Sequence, residues 1–461
     1  MTVNNDFNLA IKNHQQNNLE IAENLYSKIL KIEPNHIATL NNLGTLFIAL
    51  GKYQKAKDCY ERVIKISPNN ADIHNNLGSA FKKLHEYEKA INSYKKAIQI
   101  NPSYASVYHN LGIVYQELNE HQKAIGYFKK AIEIDPRHAS YYFNIAFSFD
   151  NLGDKKSAEN YYQNVIEIDE NYIEAYNNLG NVFSSIGELK KAKDYYKKAI
   201  KINPTFALAH WNLYGITSNI DEALIILKKV YEIDNKHIKS KIMISALLGF
   251  KGNFNSFNDI LASSESNHSY TRSIKWIFSL PQLPKIYFNR WDFFDAVISL
   301  SENSRPFYEF GVWTGSSFKY LINTFKKGYG FDTFNGLPED WHDEPKGSYS
   351  SHGEVPEIEG GEFIVGKFED TLPKFFSKKK PIASIINFDA DLYSSTLCAL
   401  SYSNKVIDEK TILVFDEFII NKNWEEDEYK ALNEFCDGLG YRYKVIAISF
   451  FTKQVAVKLI K

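Results

Sequence analysis

At 461 residues the chain is too long for one hydrophobic core, so two or three domains are expected. A formal charge of -1 gives no general attraction to nucleic acid or anionic membrane, and 44% hydrophobic residues with 15% aromatics exclude a mainly disordered chain. Three scattered cysteines without metal-ligand spacing, a polar N-terminus and no apolar run near the ~20 residues of a membrane helix point to a reducing cytoplasm and no membrane span.

The first half is periodic. Leu43-Gly44, Leu77-Gly78, Leu111-Gly112 and Leu179-Gly180 align at 34 residues, with Ile145-Ala146 in the remaining register. The same period carries Ala56, Ala90, Ala124, Ala158 and Ala192, then Tyr60, Tyr94, Phe128, Tyr162 and Tyr196, and proline closes most units. Each unit reads as two helices, with small residues where backbones cross and aromatics between. Such a unit cannot bury its apolar face alone, so stacking is obligatory. These positions resemble the tetratricopeptide repeat (TPR) family. Units are expected at 3–36, 37–70, 71–104, 105–138, 139–172 and 173–206, with degenerate repeats over 207–262. The fold class expected for 1–262 is an all-α TPR superhelix.

Asn42, Asn76, Asn110, Asn144 and Asn178 recur at the period on the first helix of each unit. A carboxamide donates and accepts at once, which matches the backbone of an extended peptide. The pattern resembles the asparagine ladder in the repeat domain of O-linked N-acetylglucosamine transferases, which implies a protein or peptide partner on the concave face. The plainer role, bonding neighbouring helices, weighs slightly more.

Residues 263–285 lose the period and read as a linker, with a short amphipathic segment around Trp276. A helix at 291–300 leads into an α/β pattern over 286–461. Strands are expected at 307–310, 329–334, 362–368, 382–389, 411–415, 443–451 and 454–460, with helices between most of them. Alternation means a doubly wound, largely parallel sheet, to which the terminal hairpin adds an antiparallel edge. The polar stretch 335–361 is too long for an idle connection and reads as a substrate loop or lid.

Ligands of such sheets sit beyond the carboxyl ends of the strands. There, Glu309-x-Gly311-x-x-x-Gly315 offers backbone N–H groups at a helix N-terminus, and its leading acid suits a ligand with a cationic amino end. Asp332, about twenty residues beyond the first glycine, suits ribose hydroxyls. Asp389, Asp391, Asp416 and Glu417 finish neighbouring strands, and four clustered acids call for a hard divalent cation, magnesium first.

Four motifs in order, 309–315, 331–338, 389–396 and 416–418, resemble the macrocin O-methyltransferase family. That resemblance implies a Rossmann-like class I, S-adenosylmethionine-dependent and magnesium-assisted O-methyltransferase acting on a sugar or phenolic hydroxyl. It implies that Glu309, Gly311 and Gly315 hold the methionine end of the cofactor, with Thr314 and Ser316 in the same turn, and that Asp332 holds the ribose. It further implies Asp389, Asp416 and Glu417 as metal ligands and Asp391 as general base. Glu417 stands where the family has aspartate, Ala390 where it has glycine, and Thr314 where it has arginine. Tyr393, His342 and His352 are candidates for the acceptor side. The expected function is O-methyl transfer to a small molecule or glycan, with the array recruiting a partner, a substrate carrier or a second copy of the chain as a homo-oligomer. The alternative is an interaction scaffold whose second domain is inactive.

Overall fold

The computed structural model describes residues 3–342, 344–351 and 353–460, which fall into two compact units, Met1–Tyr172 and Ile173–Lys461. In the first unit helices come in pairs: Val3–Gln15 with Leu19–Ile32, Ile37–Ala49 with Tyr53–Ile66, Ala71–Lys83 with Tyr87–Ile100, Ala105–Glu117 with His121–Ile134, and Ala139–Asn151 with Lys155–Ile168. The periodic residues explain the pairing. A Cβ at Gly44, Gly78 or Gly112 would lie 2.6, 2.7 or 2.5 Å from the ring of Tyr60, Tyr94 or Phe128, so each ring lies directly on the backbone of the first helix. Ala56, Ala90, Ala124 and Ala158 are fully buried beside them. Burying one such ring contributes roughly 1.5–3 kcal/mol. One periodic feature is hidden in the sequence. Asn17, Gly51, His85, Asn119 and Gly153 all close a first helix in the left-handed region, with φ of 62°, 70°, 58°, 57° and 78°.

The second unit begins with Ile173–Ser185 and Leu189–Ile202, then Ala207–Tyr214 and Ile220–Ile233, which bring the repeat helices to fourteen. The pair Ile238–Phe250 and Asn255–Leu261 follows. Residues 263–285 are not a free connection. Ser264–Asn267 forms a 3-10 turn and Ser269–Ser279 a helix whose Thr271, Ser273, Ile274 and Ile277 are buried. That helix is pinned on one side by Phe278 against Phe250, Phe254 and Phe257. On the other side Ser273 Oγ accepts from Ile420 N at 2.8 Å, Arg272 pairs with Glu425, and Trp276 packs on Phe418 and Trp424. The compact unit therefore starts at Ile173, well before residue 262.

The sheet has eight strands among the described residues: Lys285–Tyr287 (β1), Phe307–Phe310 (β2), Gly328–Asp332 (β3), Gly361–Val365 (β4), Ile385–Phe388 (β5), Ile412–Phe415 (β6), Arg442–Ser449 (β7) and Val455–Ile460 (β8). Their order is β1-β7-β8-β6-β5-β2-β3-β4. All pairings are parallel except those of β8, which runs against both β6 and β7. The hairpin thus does not simply add an edge. β8 is inserted between β6 and β7, as its buried Val455-Ala456-Val457 run requires, and β1 extends the sheet beyond β7. β2, β5 and β6 are buried at every position, the signature of strands covered on both faces. The chain winds from β2 out to β4 and then restarts at β5 on the other side of β2. The switch point therefore lies at the carboxyl ends of β2 and β5.

Candidate functional site

At the switch point the two strand ends nearly touch. Asp389 N donates to Phe310 O at 2.8 Å, and a Cβ at Gly311 would lie 1.8 Å from Asp389 O. Only glycine fits, and its φ of 89° confirms the need. Gly315, at φ 76°, is the N-cap of the helix Ser316–Phe325 and provides no side-chain cap. Backbone N–H groups at that helix start are left for another acceptor. Thr314 and Ser316 flank it and are half-buried.

Asp332, ending β3, stitches the turn: its Oδ2 accepts from Val312 N at 2.7 Å and Trp313 N at 2.8 Å, and its Oδ1 from Phe334 N at 2.7 Å. Glu309 lies beneath, with no exposed surface. Its Oε1 accepts from Ser317 Oγ and from Asn387 Nδ2, the latter at 3.2 Å, while Oε2 has no partner. Burial pushes its pKa up to about 8 against the pull of those two bonds and the Arg290 charge.

The acids at the ends of β5 and β6 lie close enough to act on one another. Asp391 sits at the tip of a three-residue turn closed by Leu392 N donating to Ala390 O, with φ of 58°. Such strain in a non-glycine residue persists where the surroundings enforce it. Burial, then the charges of Glu417 and Asp416, raise the Asp391 pKa well above the ordinary carboxylate range; burial and Asp416 do the same to Asp389. Glu428, fully buried on the helix Glu428–Leu439, joins the cluster; its Oε2 accepts from Glu417 N at 3.2 Å, and Oε1 has no partner.

Like Glu428, Ser317 and Asn387, three charged or polar residues around Asp416 and Glu417 were not singled out in the sequence: Arg290, Lys453 and Gln454. Arg290 opens the helix Arg290–Ser299 and is ion-paired to Asp416 Oδ2, while Gln454 Nε2 donates to Asp416 Oδ1 at 2.6 Å. Lys453 reaches Glu417 Oε2 at 2.8 Å, and Asn421 Nδ2 donates to the same oxygen at 2.7 Å. Parallel β6 and β7 put the turn after β7 at the same sheet edge as Asp416, the one signal that pointed to Lys453 and Gln454.

The described residues of 335–361 pack against the 311–315 turn. Tyr349 packs edge-on against Trp313 at 5.9 Å, and burial with the charges of Glu344, Asp391, Glu417 and Asp389 pushes its hydroxyl pKa up. His342 Nε2 lies 2.8 Å from Asp427 Oδ2, Ser394 Oγ donates to Glu339 at 3.1 Å, and Pro356 and Ile358 cover Gly315. Tyr393 is turned away, its hydroxyl donating to Glu434. His352 lies outside the described residues.

The two groups implied by the methyltransferase resemblance fare differently. An S-adenosylmethionine fits the residues present: an orphaned, buried Glu309 oxygen, two left-handed glycines and an uncapped helix start follow one another at the carboxyl end of β2. Magnesium does not fit. Both Asp416 oxygens and one of Glu417 are engaged by Arg290, Gln454, Lys453 and Asn421, and no group of three or more His, Cys, Asp or Glu among the described residues is arranged to hold an ion.

In the array, the recurring asparagines knit neighbouring repeats. Asn76 Nδ2 donates to Asn41 Oδ1 at 3.1 Å, Asn110 to Asn75 at 2.9 Å, and Asn144 meets His109 Nε2 at 2.7 Å. In the second unit Asn212 repeats the bond to Asn177, and Asn178 accepts from Asn177 at 3.2 Å. Asn42 lies near the buried Tyr26 hydroxyl without a hydrogen bond between them.

Residues 44–85 and 80–119 match a family model described as TPR repeat, and 25–58, 105–138, 139–172 and 173–206 match models described as tetratricopeptide repeat. Residues 25–206 are therefore a run of tetratricopeptide repeats. Among solved structures, the MamA protein is 28% identical, with TM-score 0.34, over 37% of this chain and 94% of that one. YrrB, described as a TPR protein with an unusual peptide-binding site, is 23% identical, with TM-score 0.34, over 42% and 98%. A tetratricopeptide repeat protein from Parabacteroides merdae is 21% identical, with TM-score 0.44, over 54% and 99%. No curated protein matches the chain. No described helix is long and apolar enough to cross a membrane.

Proposed function

We propose that the second unit transfers a methyl group from S-adenosylmethionine to a hydroxyl of a sugar or phenol, and that the repeat array presents a peptide partner or the carrier of the acceptor. The observation that carries the reading is the unpartnered oxygen of Glu309, buried under a glycine turn at the switch point and fit to receive an ammonium group. Gly311, Thr314, Gly315 and Ser316 then line the amino-acid end. Asp332 already accepts three backbone N–H bonds, so its remaining lone-pair capacity would face the ribose.

The bound cofactor supplies a methyl group on a sulfonium, primed for in-line displacement. Asp391, on its strained turn, faces the acceptor oxygen. Its raised pKa brings its basicity toward neutral pH, where a general base is most effective. Asp391 would take the hydroxyl proton as the acceptor oxygen receives the methyl group. The 335–361 stretch, with Tyr349 and His342, would exclude water and shape the acceptor pocket. Positioning carries much of the acceleration in such a transfer.

The second reading, a scaffold with an inactive sheet domain, is favoured by Ser317 and Asn387 already satisfying the other Glu309 oxygen. Titrating the full chain with S-adenosylmethionine in a thermal-shift assay separates the two: a saturable rise in Tm supports the enzyme, and its absence supports the scaffold.

A further inference from the structure

We propose that Arg290 and Lys453 are the resident counter-cations of the carboxylate cluster, and that the crevice works without a divalent ion. The inference deepens the methyltransferase reading and rests on it for the identity of the crevice. Its support is the geometry of pairing. Of the two acids that finish β6, Asp416 is 4% exposed and has Arg290 on one oxygen and Gln454 on the other. Glu417 shares one oxygen between Lys453 and Asn421, and Lys453 in turn donates to Asn421 Oδ1 at 2.8 Å. These are the charge-assisted bonds that replace water around a buried carboxylate.

Arg290 is held in this position rather than resting there. Asn289 Oδ1 accepts from Trp291 N at 3.0 Å and Asp292 N at 2.8 Å, which fixes the helix start. The Trp291 indole N–H donates to Ser184 O at 2.6 Å, and a Cβ at Gly187 would touch the same indole at 3.4 Å. The residue beside Arg290 is thereby clamped onto the sixth repeat, and the guanidinium is aimed inward. Burial draws the Arg290 pKa down, but Asp416, then Asp389, Glu417 and Glu309, raise it further, so the side chain stays charged among those acids. Lys453 is fixed likewise at a left-handed turn position, φ 63°.

A magnesium ion demands near-octahedral oxygen ligands at about 2.0–2.1 Å. To bind here it would have to strip Asp416 of Arg290 and Glu417 of Lys453 and then sit beside both displaced cations. The positive charge that brings acids together at a strand end is supplied here by the chain itself. A hydroxyl acceptor would then meet Asp391 near the Lys453 ammonium, which steadies developing negative charge without being a Lewis acid.

The test uses the full chain and magnesium chloride. Isothermal titration is expected to give no saturable heat, and the Tm shift produced by S-adenosylmethionine is expected to be the same in EDTA and in magnesium. Arg290→Met should create a saturable magnesium response that Asp389→Asn in the same background removes. Because Arg290→Met risks misfolding, Lys453→Met is assayed alongside it and should gain the same response in weaker form. Saturable magnesium binding by the unaltered chain that is lost in Asp416→Asn overturns the proposal, as does a cofactor shift abolished by EDTA and restored by magnesium. Folded variants that both gain nothing overturn it too. Failure of the cofactor to shift Tm under any condition sinks the methyltransferase reading instead, while the magnesium titrations still decide the role of the cations.

Discussion

The repeat array and the sheet use side chains in opposite ways. In the array each interaction recurs: a ring on a glycine, an asparagine on its neighbour 35 residues earlier, a left-handed residue closing the first helix. In the sheet the decisive bonds are single and distant: Arg290 reaches Asp416 across 126 positions, and Trp291 reaches Ser184 across 107. Recurrence spreads stability over many equivalent contacts, while distance concentrates function in a few that have no substitute.

The sharpest way to break this comparison is to cut the chain. A fragment 263–461 is expected to lack a cooperative thermal transition, because it loses Ser184 and Gly187, which hold Trp291, and Trp211 and Tyr214, which pack on Phe451, whereas 173–461 should retain one; calorimetry of the two distinguishes them. Next comes Asp391→Asn, which should lower methyl transfer by about 10²–10⁴-fold while keeping the cofactor-induced Tm shift, read with labelled methyl donor. Undiminished turnover removes Asp391 as base.

In the array, Phe128→Ala should cost about 3–5 kcal/mol in chemical denaturation by leaving a cavity against Gly112. Glu309→Gln tests the buried acid. The native carboxyl holds its proton up to about pH 8, whereas its ordinary value is 4.5. Unfolding therefore releases a proton between those values, and stability falls as pH rises through that window. The glutamine variant should flatten that slope, with a gain of a few kcal/mol near pH 8 by urea titration, and should weaken the cofactor shift if Glu309 meets the ammonium group. Smallest is Asn110→Ala, expected to cost about 1 kcal/mol through its lost bond to Asn75. If peptide capture by the array collapses while stability barely moves, the asparagines read the partner rather than the neighbouring repeat.

How much was legible follows the same division. The repeat register could be read from Gly44, Tyr60 and their successors, since the contacts that define it lie within one period. The left-handed position was hidden because histidine and asparagine stand in for glycine there. In the sheet, the strand-ending acids and the glycine turn stood out, since their chemistry is local to each strand end. Their partners did not. Nothing near Asp416 in sequence announces Arg290, and the place of β8 between β6 and β7 depends on a pairing choice that an apolar run alone leaves open. The stretch 263–285 read as a linker because its buried residues, Ile274 and Ile277 among them, follow neither the repeat period nor a strand alternation.

The indole of Trp291 against Gly187 also bears on how such a chain could be assembled from parts. Exchange of one array for another at residue 262, where the period fades, would strip Trp291 and Phe451 of their cover and loosen Arg290 with them. Exchange at the boundary between Tyr172 and Ile173 disturbs none of these contacts. Recombination that kept the sheet folded would have to leave the last repeats behind as its inheritance, so those repeats should diversify with the sheet and the earlier ones with whatever they bind.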